Sequence, residues 1–423
     1  MRAVTVLLAL GVTVGMALAG APPAAAQVTA KADACAAPPK AFAANGMDVL
    51  WQTDLLLERG AALKNLWLVA DYLVGRSSDN RVFVANAATG VRLWSDIISK
   101  PNATVWPPCI DRLALLANSR VKVSEGREPA HTVLKDTLWF PTTTQLVGVQ
   151  ALDGRLVEAV SIDFAPAGRP ATNGALCFVP DGKGWLQAVS ILSRLPSWGR
   201  WTEDAVTAGP VVDSSFVYFA SQNGTVYAST QNIRRVTWEH KTEAPIVADL
   251  KRTKSGLILA ASLDYTLYAF QGSSGRLAWR FNAGEPLQRA PYAFGGQTAG
   301  AAKAGAAKAD PAKAAAAQAV QSAGQVFLFA KEAGMVAIDM SNGRAQWTLK
   351  EGADLVAADA NNVYVTSRNG DLVALDRKDG KVVFTLALAP GTIVAADESD
   401  TGILYLAVPG GQVMAVAAKK KEP

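Results

Sequence analysis

The chain has 423 residues, of which 50% are hydrophobic and 18% charged, and its formal net charge is +5. This hydrophobic share is ample for a large core. The modest charge, with no run of Lys and Arg interleaved with aromatic residues, excludes a nucleic-acid-binding stripe.

The first residues are typical of a secretory leader, with Arg2 followed by an apolar stretch over 4–19 and a small-residue cleavage site at 24–26. We therefore predict a cleaved signal peptide over 1–26, a flexible segment over 27–45, and a periplasmic or secreted protein. No later window is apolar enough for a transmembrane span. Cys35 follows Lys-Ala-Asp-Ala rather than a lipobox, so a lipoprotein is not expected.

A repeated unit is clearest over 361–385, NNVYVTSRNGDLVALDRKDGKVVFT. It is predicted to form three short strands, because Asn369-Gly370 and Asp379-Gly380 are turn pairs between runs rich in β-branched residues. Three such strands cannot bury a face alone. The unit must therefore be repeated and stacked.

An aromatic residue marks the last strand of most repeats, and neighbouring copies without insertions lie 37 to 43 residues apart. The marker positions are Trp51, Trp94, Glu158, Trp198 or Trp201, Trp238, Trp279, Trp347 and Phe384. A period of about 40 residues with four strands is the signature of a propeller blade. The two longer gaps hold insertions, around 101–126 and in the Ala/Lys tract 297–324.

The first strand of each repeat is predicted to lie nearest the ring axis, and several copies have a small residue, a proline and an apolar run ending in Asp. The copies include Gly209–Asp213 and Ala244–Asp249. The Asp residues after these runs are interpreted as turn caps, with an acidic ring at one mouth as the alternative. These positions are Asp71, Asp213, Asp249, Asp359 and Asp397.

The two ends of the repeat region complete each other. The last repeat lacks its outer strand, and the stretch 47–55 is an outer strand without a blade. Pairing them closes the ring and removes exposed edges. We predict an all-β fold, an eight-bladed β-propeller of four-stranded antiparallel blades over 46–418, followed by a basic tail over 419–423. Seven blades is the alternative, since Glu158 stands in place of an aromatic residue.

Three segments resemble the tryptophan-docking motif of the PQQ-like (pyrrolo-quinoline quinone repeat) propeller family, roughly A-x-D-x-x-x-G-x-x-x-W. They are Ala269–Trp279, Ala337–Trp347 and Ala374–Phe384. The resemblance covers nearly the whole mature chain and implies that the large rings dock each blade onto its neighbour. The residues assigned to docking are Trp51, Trp94, Trp201, Trp238, Trp279, Trp347 and Phe384.

Catalytic and cofactor residues are not predicted. Quinoprotein dehydrogenases of this superfamily carry adjacent cysteines and calcium-binding carboxylates, and this chain has no Cys-Cys pair, so neither PQQ nor calcium is expected. His131 and His240 lie at unrelated repeat positions without a nucleophile motif. Among three cysteines, Cys109 and Cys177 are the favoured disulfide pair, because they fall on neighbouring repeats.

The resulting hypothesis is a monomeric, non-catalytic scaffold. The resemblance implies envelope proteins as partners, including the outer-membrane barrel-assembly machinery, since cofactor-free, secreted members of the family serve outer-membrane protein assembly. Two alternatives stay open: a PQQ-dependent quinoprotein or its degenerate relative, and an extracellular module that binds polysaccharide or a surface protein. Fold alone does not decide among them.

Overall fold

A computed structural model describes residues 35–111, 136–296 and 324–419. This part of the chain contains one short helix, α1 (Pro39–Ala44), and is otherwise built from strands. The strands of the first half are β1 (Met47–Asp54), β2 (Leu63–Val69), β3 (Tyr72–Ser77), β4 (Arg81–Asn86), β5 (Arg92–Ile97), β6 (Cys109–Asp111), β7 (Thr137–Pro141), β8 (Gln145–Gln150), β9 (Leu156–Ser161), β10 (Ala171–Thr172), β11 (Leu176–Pro180), β12 (Trp185–Ser190), β13 (Pro196–Trp201), β14 (Val211–Val212), β15 (Phe216–Ala220) and β16 (Thr225–Thr230).

The strands of the second half are β17 (Val236–Lys241), β18 (Lys251–Arg252), β19 (Leu257–Ala261), β20 (Thr266–Gln271), β21 (Leu277–Asn282), β22 (Tyr292–Phe294), β23 (Gln325–Ala330), β24 (Gly334–Asp339), β25 (Ala345–Leu349), β26 (Gly352–Ala358), β27 (Asn362–Ser367), β28 (Leu372–Asp376), β29 (Val382–Leu386), β30 (Ile393–Ala395), β31 (Leu404–Ala407) and β32 (Gln412–Ala418). They form eight four-stranded antiparallel sheets within the described residues. Blades 1 to 7 are β2–β5, β6–β9, β10–β13, β14–β17, β18–β21, β22–β25 and β26–β29 in turn.

Blade 8 closes the ring. It combines β30, β31 and β32 with the distant β1, which pairs antiparallel with β32 so that Met47 faces Ala418 and Asp54 faces Gln412. The predicted eight-bladed propeller and its closure are thereby confirmed, and the seven-bladed alternative is wrong.

One row of side chains explains why each blade packs on the next. The row crosses the second, third and fourth strands, and in blade 5 it contains Leu259, Ala269 and Trp279. Its third-strand member is Ala or Gly in seven blades: Gly148, Ala188, Ala228, Ala269, Ala337, Ala374 and Ala415. A small residue there leaves room for the ring on the fourth strand, since interiors pack to nearly crystal density.

The first strand of blade 5 differs from the expectation. It is Lys251–Arg252, whereas the predicted run Ala244–Asp249 belongs to the connection that precedes it. Ile246 and Leu250 are buried in the core cluster of blades 4 and 5. The connection is therefore apolar because it fills the space between blades, and its composition imitates a strand.

The segment 35–45, predicted to be flexible, instead packs against the ring. Phe42 of α1 is fully buried in a cluster with Ala36, Ala37 and residues of blades 7 and 8. The N–H of Ala389 donates to the carbonyl of Ala36 at 2.6 Å. β1 is far in sequence from the other strands of blade 8, so no turn connects it to β32. The segment 35–45 lies where other blades have a turn between their third and fourth strands.

The two insertions occupy equivalent positions. Residues 112–135 connect β6 to β7 and residues 297–323 connect β22 to β23, so both join the first and second strands of a blade. The signal-peptide prediction, His131 and the basic tail beyond Lys419 lie outside the described residues. No described helix is long and apolar enough to cross a membrane.

Candidate functional site

A cavity of about 1170 Å³ lies at the centre of the ring, and the first strand or its approach in every blade contributes to the wall. Much of the wall is small or apolar, as at Ala171, Val211, Leu355 and Ala395. Nine charged residues also line it: Lys64, Arg169, Asp249, Lys251, Arg252, Arg289, Asp354, Asp397 and Glu398. Sequence reasoning missed the basic residues of β18, because the first strand of blade 5 was placed one segment too early.

Most of the cavity acids already have partners from the chain. Glu398 forms an ion pair with Lys251 at 2.7 Å, which joins blade 8 to blade 5. The hydroxyl of Tyr292 donates to Asp354 at 3.0 Å, and burial together with that carboxylate raises the pKa of Tyr292. Asp249 accepts the backbone N–H of Gly209 at 2.6 Å. These contacts hold the first strands in place and leave few carboxylate oxygens directed at a ligand.

A turn of blade 8, residues 396–402, reaches across the other blades, and we call it the closing segment. The N–H of Asp397 donates to the carbonyl of Val356 in blade 7 at 2.9 Å. Glu398 and Asp400 reach blade 5 through Lys251 and Lys254, at 2.7 and 3.2 Å. The closing segment therefore crosses one end of the cavity.

Asp400 anchors the closing segment from more than one side. Its carboxylate accepts the N–H of Gly295 in blade 6 at 3.0 Å and contacts Arg377 of blade 7 at 3.2 Å. The guanidinium of Arg377 also donates to the carbonyl of Asp359 at 2.6 Å. One carboxylate thus links three blades to the eighth.

Asp213 and Asp359 cap the turns that follow their first strands. Asp213 Oδ1 accepts the N–H groups of Ser215 and Phe216, each at 2.7 Å, and its other oxygen accepts the hydroxyl of Tyr218 at 2.7 Å. Burial alone would raise the pKa of Asp213, but these hydrogen bonds lower it overall. Asp359 repeats the arrangement with Tyr364. The capping interpretation accounts for both residues without a ligand.

Indole rings on the fourth strands contact the next blade in one recurring way. Each Nε1–H donates to a backbone carbonyl in the turn before the next blade's fourth strand, at 2.7 to 3.0 Å. The donors are Trp51, Trp94, Trp198, Trp238, Trp279 and Trp347. The ring also covers a glycine: a Cβ at Gly343 would lie 2.7 Å from the ring of Trp279.

Blade 3 corrects one docking assignment. Trp198 makes the inter-blade hydrogen bond, whereas Trp201 is 53% exposed. The backbone geometry explains the choice, because in blades 1 and 3 to 7 the docking residue lies four positions after a turn residue with positive φ. Arg194 has φ of 63° and precedes Trp198 by that interval, as Gly275 precedes Trp279. The side chain of Phe384 has no N–H group to donate, and it packs beside the cluster containing Phe42.

Trp201 contributes to an exposed aromatic pair. It lies directly opposite Trp185 on the neighbouring strand, and Trp185 is 38% exposed. Directly opposite residues of an antiparallel pair project from the same face. A Cβ at Gly199 would lie 3.0 Å from the ring of Trp185, so that ring lies closely against the strand. The two rings form an apolar surface at the outer part of blade 3.

The junction between blades 2 and 3 is built differently from the six that have a docking tryptophan. Glu158 holds the fourth-strand position and forms an ion pair with Arg194 at 2.7 Å. The large ring of this blade is Trp139 on the second strand, which is fully buried against Gly148. No described residue accepts a hydrogen bond from Trp139 Nε1. In this blade the large aromatic ring of the row is therefore on the second strand, whereas most other blades have it on the fourth.

The predicted cysteine pair meets at this junction. Cys109 and Cys177 are both buried, and their Sγ atoms lie 3.9 Å apart as free thiols. The hydrogen bond with Cys109 and burial raise the pKa of Cys177. Nearby, burial and the charge of Asp136 raise the pKa of Asp111 to about 6. Cys35 lies elsewhere, against Gln52 of β1.

His240 gains no support for a chemical role from its surroundings. His240, on the outer strand of blade 4, packs against Phe270 with ring centroids 4.7 Å apart and ring planes tilted by 48°. Among the described residues, no three His, Cys, Asp or Glu side chains converge in a way that could hold a metal ion.

Comparison with known proteins gives one family. The sequence profile described as "Outer membrane protein assembly factor BamB" matches residues 40–238, 182–347, 296–386 and 333–421. No curated protein sequence matches the chain.

Two solved structures share the fold. The crystal structure of BamB from Moraxella catarrhalis superposes with a TM-score of 0.61 at 13% identity, covering 89% of this chain and 99% of its own. A computationally designed protein, Ika8, superposes with a TM-score of 0.58 at 13% identity, covering 86% of this chain and 98% of its own. Since a designed protein matches nearly as well, these likenesses speak to the fold alone.

Proposed function

We propose, since the chain belongs to the family of the outer membrane protein assembly factor BamB, that it is a non-catalytic scaffold of the cell envelope that binds protein partners in outer-membrane protein assembly. The observation that carries the proposal is the family match, which spans residues 40 to 421 in overlapping segments. A rigid closed ring suits this role, because it presents fixed surfaces without the cost of ordering them on binding.

The exposed pair of Trp185 and Trp201 supports a protein-binding role. Large exposed apolar groups on a soluble protein mark interaction surfaces. Tryptophan is also enriched among the few residues that dominate binding energy. We assign this surface of blade 3 to a protein partner with a complementary apolar patch.

We infer that the central cavity is not a quinone-cofactor site. Such a site needs carboxylates free to coordinate calcium. Here Glu398 is paired with Lys251, Asp354 accepts from Tyr292, and Asp249 accepts from Gly209. The residues present do not fit PQQ and calcium, and the paired charges fit a structural role.

The proposal is tested by the binding of the purified chain to the periplasmic region of the barrel-assembly protein, measured by surface plasmon resonance. We expect saturable binding, and at least a tenfold loss of affinity in the double variant Trp185→Ala/Trp201→Ala. The matched control is Val382→Ala/Val383→Ala, which removes two exposed apolar side chains from the outer strand of blade 7 and should leave affinity unchanged.

Two outcomes would contradict the proposal. Absence of binding to the barrel-assembly protein, together with retention on a glycan column that depends on the same tryptophans, would favour a polysaccharide-binding module. A stoichiometric bound chromophore after incubation with PQQ and Ca²⁺, seen in the absorption spectrum, would favour the quinoprotein alternative.

A further inference from the structure

We call a fourth-strand indole that donates a hydrogen bond to the next blade's turn a tryptophan wedge. Most junctions between blades have one, and the junction between blades 2 and 3 lacks it. At the junction of blades 5 and 6, Trp279 covers Gly343 and donates to the carbonyl of Met340 at 2.7 Å. At the junction of blades 2 and 3, the corresponding positions hold Glu158 and Arg194, whose ion pair is partly exposed. An exposed pair of this kind contributes little to stability.

Two cysteines meet where the wedge is missing. Cys109 belongs to the same row of blade 2 as Trp139 and Glu158, and it faces blade 3. Cys177 lies on the second strand of blade 3, and alternation turns it toward blade 2 while Phe178 faces blade 4. Both belong to one buried cluster, with Sγ atoms 3.9 Å apart.

We propose that Cys109 and Cys177 form a disulfide that staples blade 2 to blade 3 and replaces the tryptophan wedge at this junction. Bond formation needs each sulfur to move by about 1 Å, since a disulfide is about 2.0 Å long. Such a shift is within the reach of side-chain rotation on neighbouring blades. The inference extends beyond the proposed scaffold role and requires only an oxidising compartment.

The chemistry is thiol–disulfide exchange with an oxidised dithiol, such as a thiol–disulfide oxidoreductase. One cysteine thiolate attacks the oxidant's disulfide, which releases one oxidant thiolate and leaves a mixed disulfide. The second cysteine, after losing its proton, attacks the chain's sulfur in that mixed disulfide and releases the other oxidant thiolate. Two chain thiols are oxidised and one oxidant disulfide is reduced to two thiols.

The exchange takes place before the junction closes. Cys109 is 7% exposed and Cys177 is fully buried, so an oxidant cannot reach them in the closed ring. Burial also keeps Cys177 protonated, and a protonated thiol is a poor nucleophile. A ring that closes with reduced cysteines therefore stays reduced.

The first experiment counts thiols in the full chain. The reduced, denatured protein is refolded in a buffer of reduced and oxidised glutathione, unfolded again in denaturant containing iodoacetamide, and analysed by peptide mass spectrometry. We expect alkylation of Cys35 alone and one linked peptide containing Cys109 and Cys177. Alkylation of all three cysteines, or a disulfide that includes Cys35, would overturn the proposal.

The second experiment measures what the bond does. Cys109→Ser, Cys177→Ser and the double variant should lower the unfolding midpoint of the oxidised protein equally, by roughly 5 °C, because each removes the same closure of a 68-residue loop. Cys35→Ser is the matched control and should leave the midpoint unchanged. Additive losses in the double variant, or a wild-type midpoint that is the same after refolding in oxidising and in reducing buffer, would refute the staple.

Discussion

The junctions between blades 5 and 6 and between blades 2 and 3 solve the same packing problem in different ways. In the first, the bulk of the row lies on the fourth strand as Trp279, above Gly343. In the second, the bulk lies on the second strand as Trp139, and Gly148 makes room for it. In both blades one large ring fills the volume of the row, although the strand that carries the ring differs.

The difference also decides which contact reaches the next blade. A fourth-strand indole both fills volume and donates a hydrogen bond across the junction. A second-strand indole only fills volume, so the junction of blades 2 and 3 depends on the buried cluster around Trp139 and Cys177 and on the pair of Glu158 and Arg194.

The largest effect is expected from removing the wedge itself. Trp279→Ala should lower the free energy of unfolding by about 3–5 kcal/mol, since it leaves a cavity in a buried cluster and the carbonyl of Met340 without its donor. Urea denaturation followed by circular dichroism measures the change. The control Trp201→Ala, at an exposed position, should stay within about 1 kcal/mol of the wild type. Equal losses of unfolding free energy in the two variants would show that the exposed fraction of a tryptophan does not predict the effect of removing it.

The next effect separates the wedge's steric demand from backbone strain. Gly343→Ala places a Cβ 2.7 Å from the ring of Trp279, whereas Gly370→Ala meets nothing within 4 Å. Both glycines have positive φ, so both variants lose about 1 kcal/mol from the left-handed backbone. Gly343→Ala should lose about 1–3 kcal/mol more in the same urea experiment. Matching losses would mean that the ring simply moves aside.

A smaller, pH-dependent effect is expected at the junction of blades 2 and 3. The pKa of Asp111 is about 6 in the folded protein, above its ordinary value of 3.8. The folded state therefore holds the proton more tightly, and the stability this gives is lost as pH rises from about 4 through 6. Asp111→Asn should stabilise the protein by about 1–2 kcal/mol at pH 8 and have little effect at pH 4.

Thermal unfolding of the wild type and Asp111→Asn from pH 4 to pH 8 gives the measurement. The difference between the two midpoints should grow with pH and level off above pH 7. A difference that is the same at every pH would indicate a packing effect of the amide rather than the titration of Asp111.

The smallest effect is expected from the ion pair. Glu158→Gln should cost no more than about 0.5 kcal/mol, because the Arg194 side chain is 63% exposed and solvent screens the pair. The difference from wild type should shrink in 1 M salt. A loss of stability comparable to that of Trp279→Ala would mean that the ion pair is the main contact stabilising this junction.

Features that recur with the repeat, such as the number of blades, were predicted from the sequence. Features that depend on the exact position of a residue within one repeat were missed. Strand alternation recurs along the chain with turn pairs such as Asn369-Gly370 in several repeats, so the number of blades and the pairing of 47–55 with the last repeat could be deduced. Trp198 and Trp201 lie three positions apart in one strand, and the third-strand partner Ala188 that selects Trp198 is visible only in the register.

Two further features could not be read from one chain. The apolar connection at Ile246 and Leu250 has strand-like composition because it is buried between blades, so the basic first strand of blade 5 was overlooked. The closing segment consists of ordinary turn residues, and its contacts with Lys251, Lys254 and Gly295 join parts of the chain more than 100 positions apart. Such contacts have no local pattern.

The pairing of β1 with β32 has a consequence for biosynthesis. The first strand of the ring to be made is the outer strand of the last blade, so it must wait for every other blade before it finds its partner. A ribosomal product cut short within the ring keeps β1 unpaired and a blade edge open, and open edges invite aggregation and proteolysis. Ring closure is therefore an intrinsic check that the propeller was synthesised to its final strand.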